Sequence, residues 1–142
     1  MGGNNKIKRS IVIISAILFL FSLTQKCYCT TSQCGDSIMA FLLGWFAVLT
    51  GGAGISWIAN PLLFTSWIVF RKNIKISFFL SLLATLFAFS FLLFDTILAN
   101  EAGHYQQIIS YKAGYWLWVS SSVSMLAGTF LVLLKQKTNN AS

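Results

Sequence analysis

What this 142-residue chain lacks is charge: aspartate and glutamate together number 3, lysine and arginine 10, and charged residues make up 9% of the sequence. A soluble domain carries roughly 25%, so a water-soluble globular protein is excluded. Histidine occurs once, at His104, proline once, at Pro61, and no cysteine follows residue 34. His104 is therefore the simplest proton-transfer group near neutral pH, and no catalytic or nucleotide-binding motif occurs anywhere in the chain. Hydrophobic residues fill the gap at 56%, in four long segments without a charge. Since about 20 apolar residues cross a bilayer, this is the composition of an integral membrane protein. The net charge of +7 would raise nucleic acid as a partner for a soluble chain. Here membrane insertion explains it, and no nucleic acid is implied.

The first apolar run, residues 11–23, covers about 20 Å as a helix, which is short for a span. It must borrow Ser10, Thr24 and Gln25, giving a first span of about 10–25. Lys6, Lys8 and Arg9 before it fit both an uncleaved anchor, the reading adopted, and a secretory signal peptide. A lipoprotein signal fits poorly, because Gln25 and Lys26 rather than small residues precede Cys27. Residues 37–70 would form a helix of about 51 Å against a hydrocarbon core of about 30 Å, so this stretch must be broken. Breaks are expected near 51–54, at Gly51, Gly52 and Gly54, and near 60–61, at Asn60 and Pro61. Two further spans follow at 76–95 and 113–134. The expected fold is an all-α integral membrane protein, a four-helix transmembrane bundle with a broken second helix, in a single membrane domain over 1–142.

Charge orients this bundle. With one net crossing for 37–70, Lys6, Lys8, Arg9, Arg71, Lys72, Lys75, Lys135 and Lys137 fall on one side, and only Lys26 and Lys112 on the other. The positive-inside rule then places both termini in the cytoplasm of a bacterial cell, the protein being a multi-pass component of its inner membrane. Two short crossings within 37–70 would destroy that asymmetry. All three acids, Asp36, Asp95 and Glu101, land on the outer side. Tyr111, Tyr115, Trp116 and Trp118 at the outer end of the last span, and Trp67 near Arg71, are expected as interfacial anchors. Small residues at Gly44, Gly51 and Gly54, and again at Ser120, Ser121, Ser122, Ser124 and Gly128, predict that the second and fourth spans pack together or form a dimer contact.

The unusual residues collect on the outer face. Cys27, Cys29 and Cys34 share one loop in an oxidising compartment. One disulfide is expected, Cys34 with Cys27 or Cys29, and one thiol is left over. Membrane oxidases that relay electrons from thiols to quinone need a Cys-x-x-Cys pair and a second pair; this chain has Cys-x-Cys and no second pair. Asp36, Asp95, Asn100, Glu101 and His104 form a candidate outer-face polar cluster. Glu101 and His104 have the Glu-x-x-His spacing of bundle metal sites, but too few further carboxylates accompany them, so no metal and no cofactor is expected. The leading reading is a non-enzymatic accessory, assembly, immunity or sensor subunit, embedded in lipid and binding a membrane or periplasmic protein partner, or a second copy of itself, through its outer face. The alternatives are an oligomeric transporter or channel using the broken helix, and an outer-face thiol redox or metal enzyme.

Overall fold

The computed structural model describes residues 2–98 and 104–141, with the side chains of 5–98 and 104–139. Five α-helices dominate: α1 (Gly2–Leu23), α2 (Ser37–Thr50), α3 (Ala59–Val69), α4 (Ile74–Ser90) and α5 (Ala113–Ala141). A 3-10 segment, Gly52–Ile58, leads into α3, and another, Phe91–Leu93, continues α4. Three helical stretches, Gly52–Val69, Ile74–Leu93 and Ala113–Asn139, are long and apolar enough to cross a membrane.

The fold is mainly helical, as expected, and adds a small antiparallel sheet that the sequence reading did not include. Strands β1 (Lys26–Thr30), β2 (Cys34–Asp36), β3 (Thr96–Leu98) and β4 (Tyr105–Tyr111) lie in the order β2-β1-β4-β3. β2 and β3 have 3 residues each, and β1 and β4 do not alternate apolar with polar residues; the central pairing joins distant segments, Tyr28 opposite Tyr111 and Cys29 opposite Ser110. Both loops are thereby gathered at one end of the helices, the sheet end.

Helix α5 packs between α1 and α4, and α3 packs on α4. Two of these contacts are closed by reciprocal serine clasps. Ser15 Oγ donates to the Ser121 carbonyl at 2.8 Å while Ser121 Oγ donates to the Ser15 carbonyl at 2.8 Å. Ser66 and Ser77 do the same between α3 and α4, at 3.1 and 2.9 Å. Ser81 and Thr129 share a hydroxyl contact of 3.3 Å between α4 and α5. Small hydroxyl residues let backbones approach closely and satisfy their own polar atoms where water is excluded. Around them, Phe19, Leu63, Phe70, Ile74, Met125 and Val132 form the main core. The small-residue face of α5 thus serves α1 and α4 rather than the second span: Gly128 lies where any Cβ would overlap the Ile11 side chain.

The uncharged stretch 37–70 folds as a helical hairpin. Gly51 (φ 77°) and Gly52 (φ 60°) are the positive-φ residues among those described, a region glycine enters without steric cost. The chain reverses there, and the 3-10 segment runs back along α2. Gly54 approaches the Ala47 backbone so closely that a Cβ would overlap it, and Trp57 Nε1 donates to the Phe41 carbonyl at 2.8 Å. Both ends of α2 stay at the sheet end: Ser37 N–H donates to the Gln25 carbonyl, and Thr50 and Gly51 border the same space as Ile97 and Leu98. The reversal is therefore at Gly51–Gly52 alone. Asn60 and Pro61 do not break the helix, because they lie in the first turn of α3, where a missing backbone donor costs nothing.

Several expected anchors also turn inward. Trp67 Nε1 donates to Ser15 Oγ at 2.9 Å, Trp118 Nε1 to Asn60 Oδ1 at 2.8 Å, and the fully buried Tyr115 to the Ala88 carbonyl at 3.1 Å. A buried indole or phenol needs such an acceptor. Trp116 keeps the outward position, at 48% exposure.

Candidate binding site

Residues 26–36 are shaped by one disulfide. Cys29 is bonded to Cys34, closing the β1–β2 turn, and Cys27 is left as a thiol. The Cys27 carbonyl accepts from Lys112 N–H at 2.9 Å, which ties β1 to the start of α5. Burial pushes the Cys27 thiol up to about 11, and the neighbouring Ser37 hydroxyl opposes this in smaller part. Tyr28 is raised as well, by burial first and by the adjacent Cys27 second. The thiolate is the form that attacks disulfides and binds metals. Burial therefore favours the neutral thiol over the thiolate at Cys27.

The sequence-derived polar cluster is divided by the sheet. Asp36 ends β2 and pairs with Lys26 at 2.6 Å, both side chains about half exposed. Asp95 precedes β3, its carbonyl accepting from Ile108 N–H at 2.8 Å. β2 and β3 are opposite edges of the sheet, three strand spacings or about 14 Å apart, so Asp36 and Asp95 do not converge. His104 stands exposed just before β4. Asn100 and Glu101 lie outside the described residues, and the Glu101–His104 pair with them. Among the described residues no group of three or more His, Cys, Asp or Glu side chains is placed to hold a metal ion.

What the fold does assemble is a cavity of about 920 Å³. The sheet borders it through Tyr28, Ile97 and Leu98, the α2 hairpin through Leu43, Ala47 and Trp57, and the helix ends through Phe19, Asn60 and Trp118. Its polarity is graded. Gln33, Asp36, Thr96 and Tyr105 at the rim are exposed, whereas Phe19, Ser56 and Asn60 are buried. The hydroxyls of Ser22 and Ser56 in the wall turn back onto their own helices, to the carbonyls of Phe19 and Ala53, each at 2.6 Å. Asn60 Oδ1 is occupied by Trp118. The site therefore offers largely apolar surface, with Ser37 Oγ as a buried hydroxyl that has no hydrogen-bond partner.

Sequence reasoning did not find this cavity. Its one legible signal was that residues 37–50 make a charge-free helix of about 21 Å, too short to span, ending in paired glycines. No family model, curated protein or solved structure matches the chain.

Proposed function

We propose that the chain is a multi-pass protein of a bacterial inner membrane, non-enzymatic, that binds a protein partner at its outer, sheet end as an accessory, assembly, immunity or sensor subunit. In this reading the four crossings are α1, the Gly52–Val69 stretch, the Ile74–Leu93 stretch and α5, with both termini cytoplasmic. Its support in charge is that Arg71 and Lys72 in the α3–α4 turn and Lys75 in the first turn of α4 lie away from the sheet, while Lys26, Lys112, Asp36 and Asp95 belong to the sheet end.

The observation that carries the reading is one face of α2. Ile38, Leu42 and Trp45 are 47%, 54% and 47% exposed, fall at helical spacing on a single stripe, and do not border the cavity. An interfacial helix that lies alone on a membrane needs a polar face opposite its apolar one. Helix α2 has no charged residue on any side, so it is covered by apolar surface all round. The cavity wall lines one face, and a partner segment covers the Ile38–Leu42–Trp45 stripe.

Native mass spectrometry of the protein extracted from its own membrane in mild detergent, without reductant, tests this directly. A complex of the chain with a different polypeptide is expected, and Leu42→Ala with Trp45→Ala should abolish it while leaving the chain inserted and monodisperse. A bare monomer or a homo-oligomer would overturn the reading.

A further inference from the structure

The cavity beneath the sheet has an occupant that the fold itself specifies. At about 920 Å³ it lies at the upper end of the roughly 300–1,000 Å³ typical of small-molecule sites. Its lining is mostly apolar; the Ser22 and Ser56 hydroxyls and Asn60 Oδ1 are bonded to protein, and the one unpaired buried hydroxyl, Ser37 Oγ, falls short of the roughly two to four partners an ordered water needs. Water gains few hydrogen bonds against such a wall, and an unfilled apolar wall lacks contacts on one side. Hydrocarbon supplies those contacts.

The rim determines what kind of hydrocarbon. Asp36 is the single charged group among the residues that border the cavity, and it is already paired with Lys26. A ligand with a buried charge has no counter-ion to meet. The exposed Gln33, Thr96 and Tyr105 at the rim offer hydrogen bonds to a polar head that stays near water. A polar rim above an apolar floor matches an amphiphile held chain-down. Resting on the reading of the chain as membrane-spanning, we infer that the cavity holds one acyl chain of a lipid from the outer leaflet. The chain lies against Phe19, Leu43 and Trp57, and its head group reaches the sheet edges. The stripe proposed to meet a protein partner faces away from this space, so the two sites are separate.

A photoactivatable fatty acid, a 16-carbon chain bearing a mid-chain diazirine, incorporated into phosphatidylcholine vesicles with the purified full chain, tests the assignment by mass-spectrometric mapping. Adducts are expected on Phe19 and on the segment Gly52–Ile58, in addition to those on the 63%-exposed Leu131 of α5, which reports contact with bulk lipid. Two substitutions fill the cavity from opposite walls, Ala40→Phe from α2 and Thr96→Phe from the sheet. Each should lower the floor adducts at least fivefold and leave Leu131 labelling unchanged, and the exposed Thr96 position protects the test against a variant that fails to fold. Leu131 labelled with an unlabelled floor, or floor labelling indifferent to both substitutions, overturns the acyl-chain assignment alone. An unlabelled Leu131 overturns the membrane reading beneath it. A polypeptide retained in place of lipid, blocking the floor, gives the cavity to the partner and also overturns the assignment.

Discussion

Below the sheet, the helices are joined by hydroxyls that reach across: Ser15 with Ser121, Ser66 with Ser77, Ser81 with Thr129. At the sheet end, Ser22 and Ser56 are equally buried, yet each bonds back to a carbonyl of its own helix and borders open space. Local bonds occur in both regions, Ser81 donating to the Phe78 carbonyl and Thr129 to those of Met125 and Leu126, but the serine hydroxyls that also cross between helices belong to the packed one. In lipid there is little hydrophobic drive between helices, so close packing rests on small residues and cross-helix hydrogen bonds. Where those bonds cease, the helices no longer close on one another, and the sheet and the α2 hairpin enclose the remaining volume. The packed region sets the positions of the helix ends; the hollow region is where a ligand or partner can act.

The sharpest way to break this contrast is to open the hairpin. Gly54→Val places a branched side chain into the Ala47 backbone, which has no room to give. A loss of about 3 kcal/mol is expected from such overpacking, seen as a large fall in melting temperature in detergent. The Cys29–Cys34 bond comes next. With a separation of 5 residues, its loop-closure contribution is about 2 kcal/mol, so Cys29→Ser should lower the midpoint by that amount under oxidising conditions and match the wild type in reductant. The serine clasps are expected to be weaker one by one. Cross-helix hydrogen bonds in membrane proteins average about 0.6 kcal/mol. A double-mutant cycle on Ser66→Ala and Ser77→Ala should return a coupling of that order, while Ser22→Ala, whose bond is local, should show no coupling to any residue of a neighbouring helix.

How far these two regions were legible in the sequence follows the same division. The apolar runs announced the long helices, and Gly51–Gly52 announced a break, because both signals are local; that the chain reverses there was not legible. The sheet was hidden, since β1 finds its partner β4 some 80 positions later and neither strand alternates apolar with polar residues. Trp67 and Trp118 looked like interfacial anchors by position alone; their acceptors, Ser15 and Asn60, come from other helices. The acidic residues of the outer loops formed a cluster by proximity in sequence, and the sheet order then put Asp36 and Asp95 on opposite edges. The cavity was the least legible feature of all, because a hollow belongs to no single segment.

The effect that vanishes at neutral pH concerns Cys27, and it sharpens the distinction between a binding site and a reactive one. Its thiol titrates at about 11 in the fold against 9.0 for an unperturbed cysteine, chiefly because it is buried. The neutral form is thus the one the fold favours. At pH 7 folded and unfolded chains both hold this proton, so Cys27 contributes no pH dependence there. Between pH 9 and 11 the unfolded chain releases the proton while the folded chain retains it, so stability falls as pH rises through that window. Tyr28, also raised, extends the fall to higher pH. Reactivity follows from the same shift: at pH 8 the thiolate fraction, and with it alkylation by iodoacetamide, should be about a hundredfold below that of an unperturbed thiol. Labelling at the rate of a free cysteine would return the outer loop to the list of reactive sites. Slow labelling that accelerates tenfold per pH unit up to about pH 11, with an alkaline loss of stability absent in Cys27→Ala, would fix this thiol as part of the cavity wall.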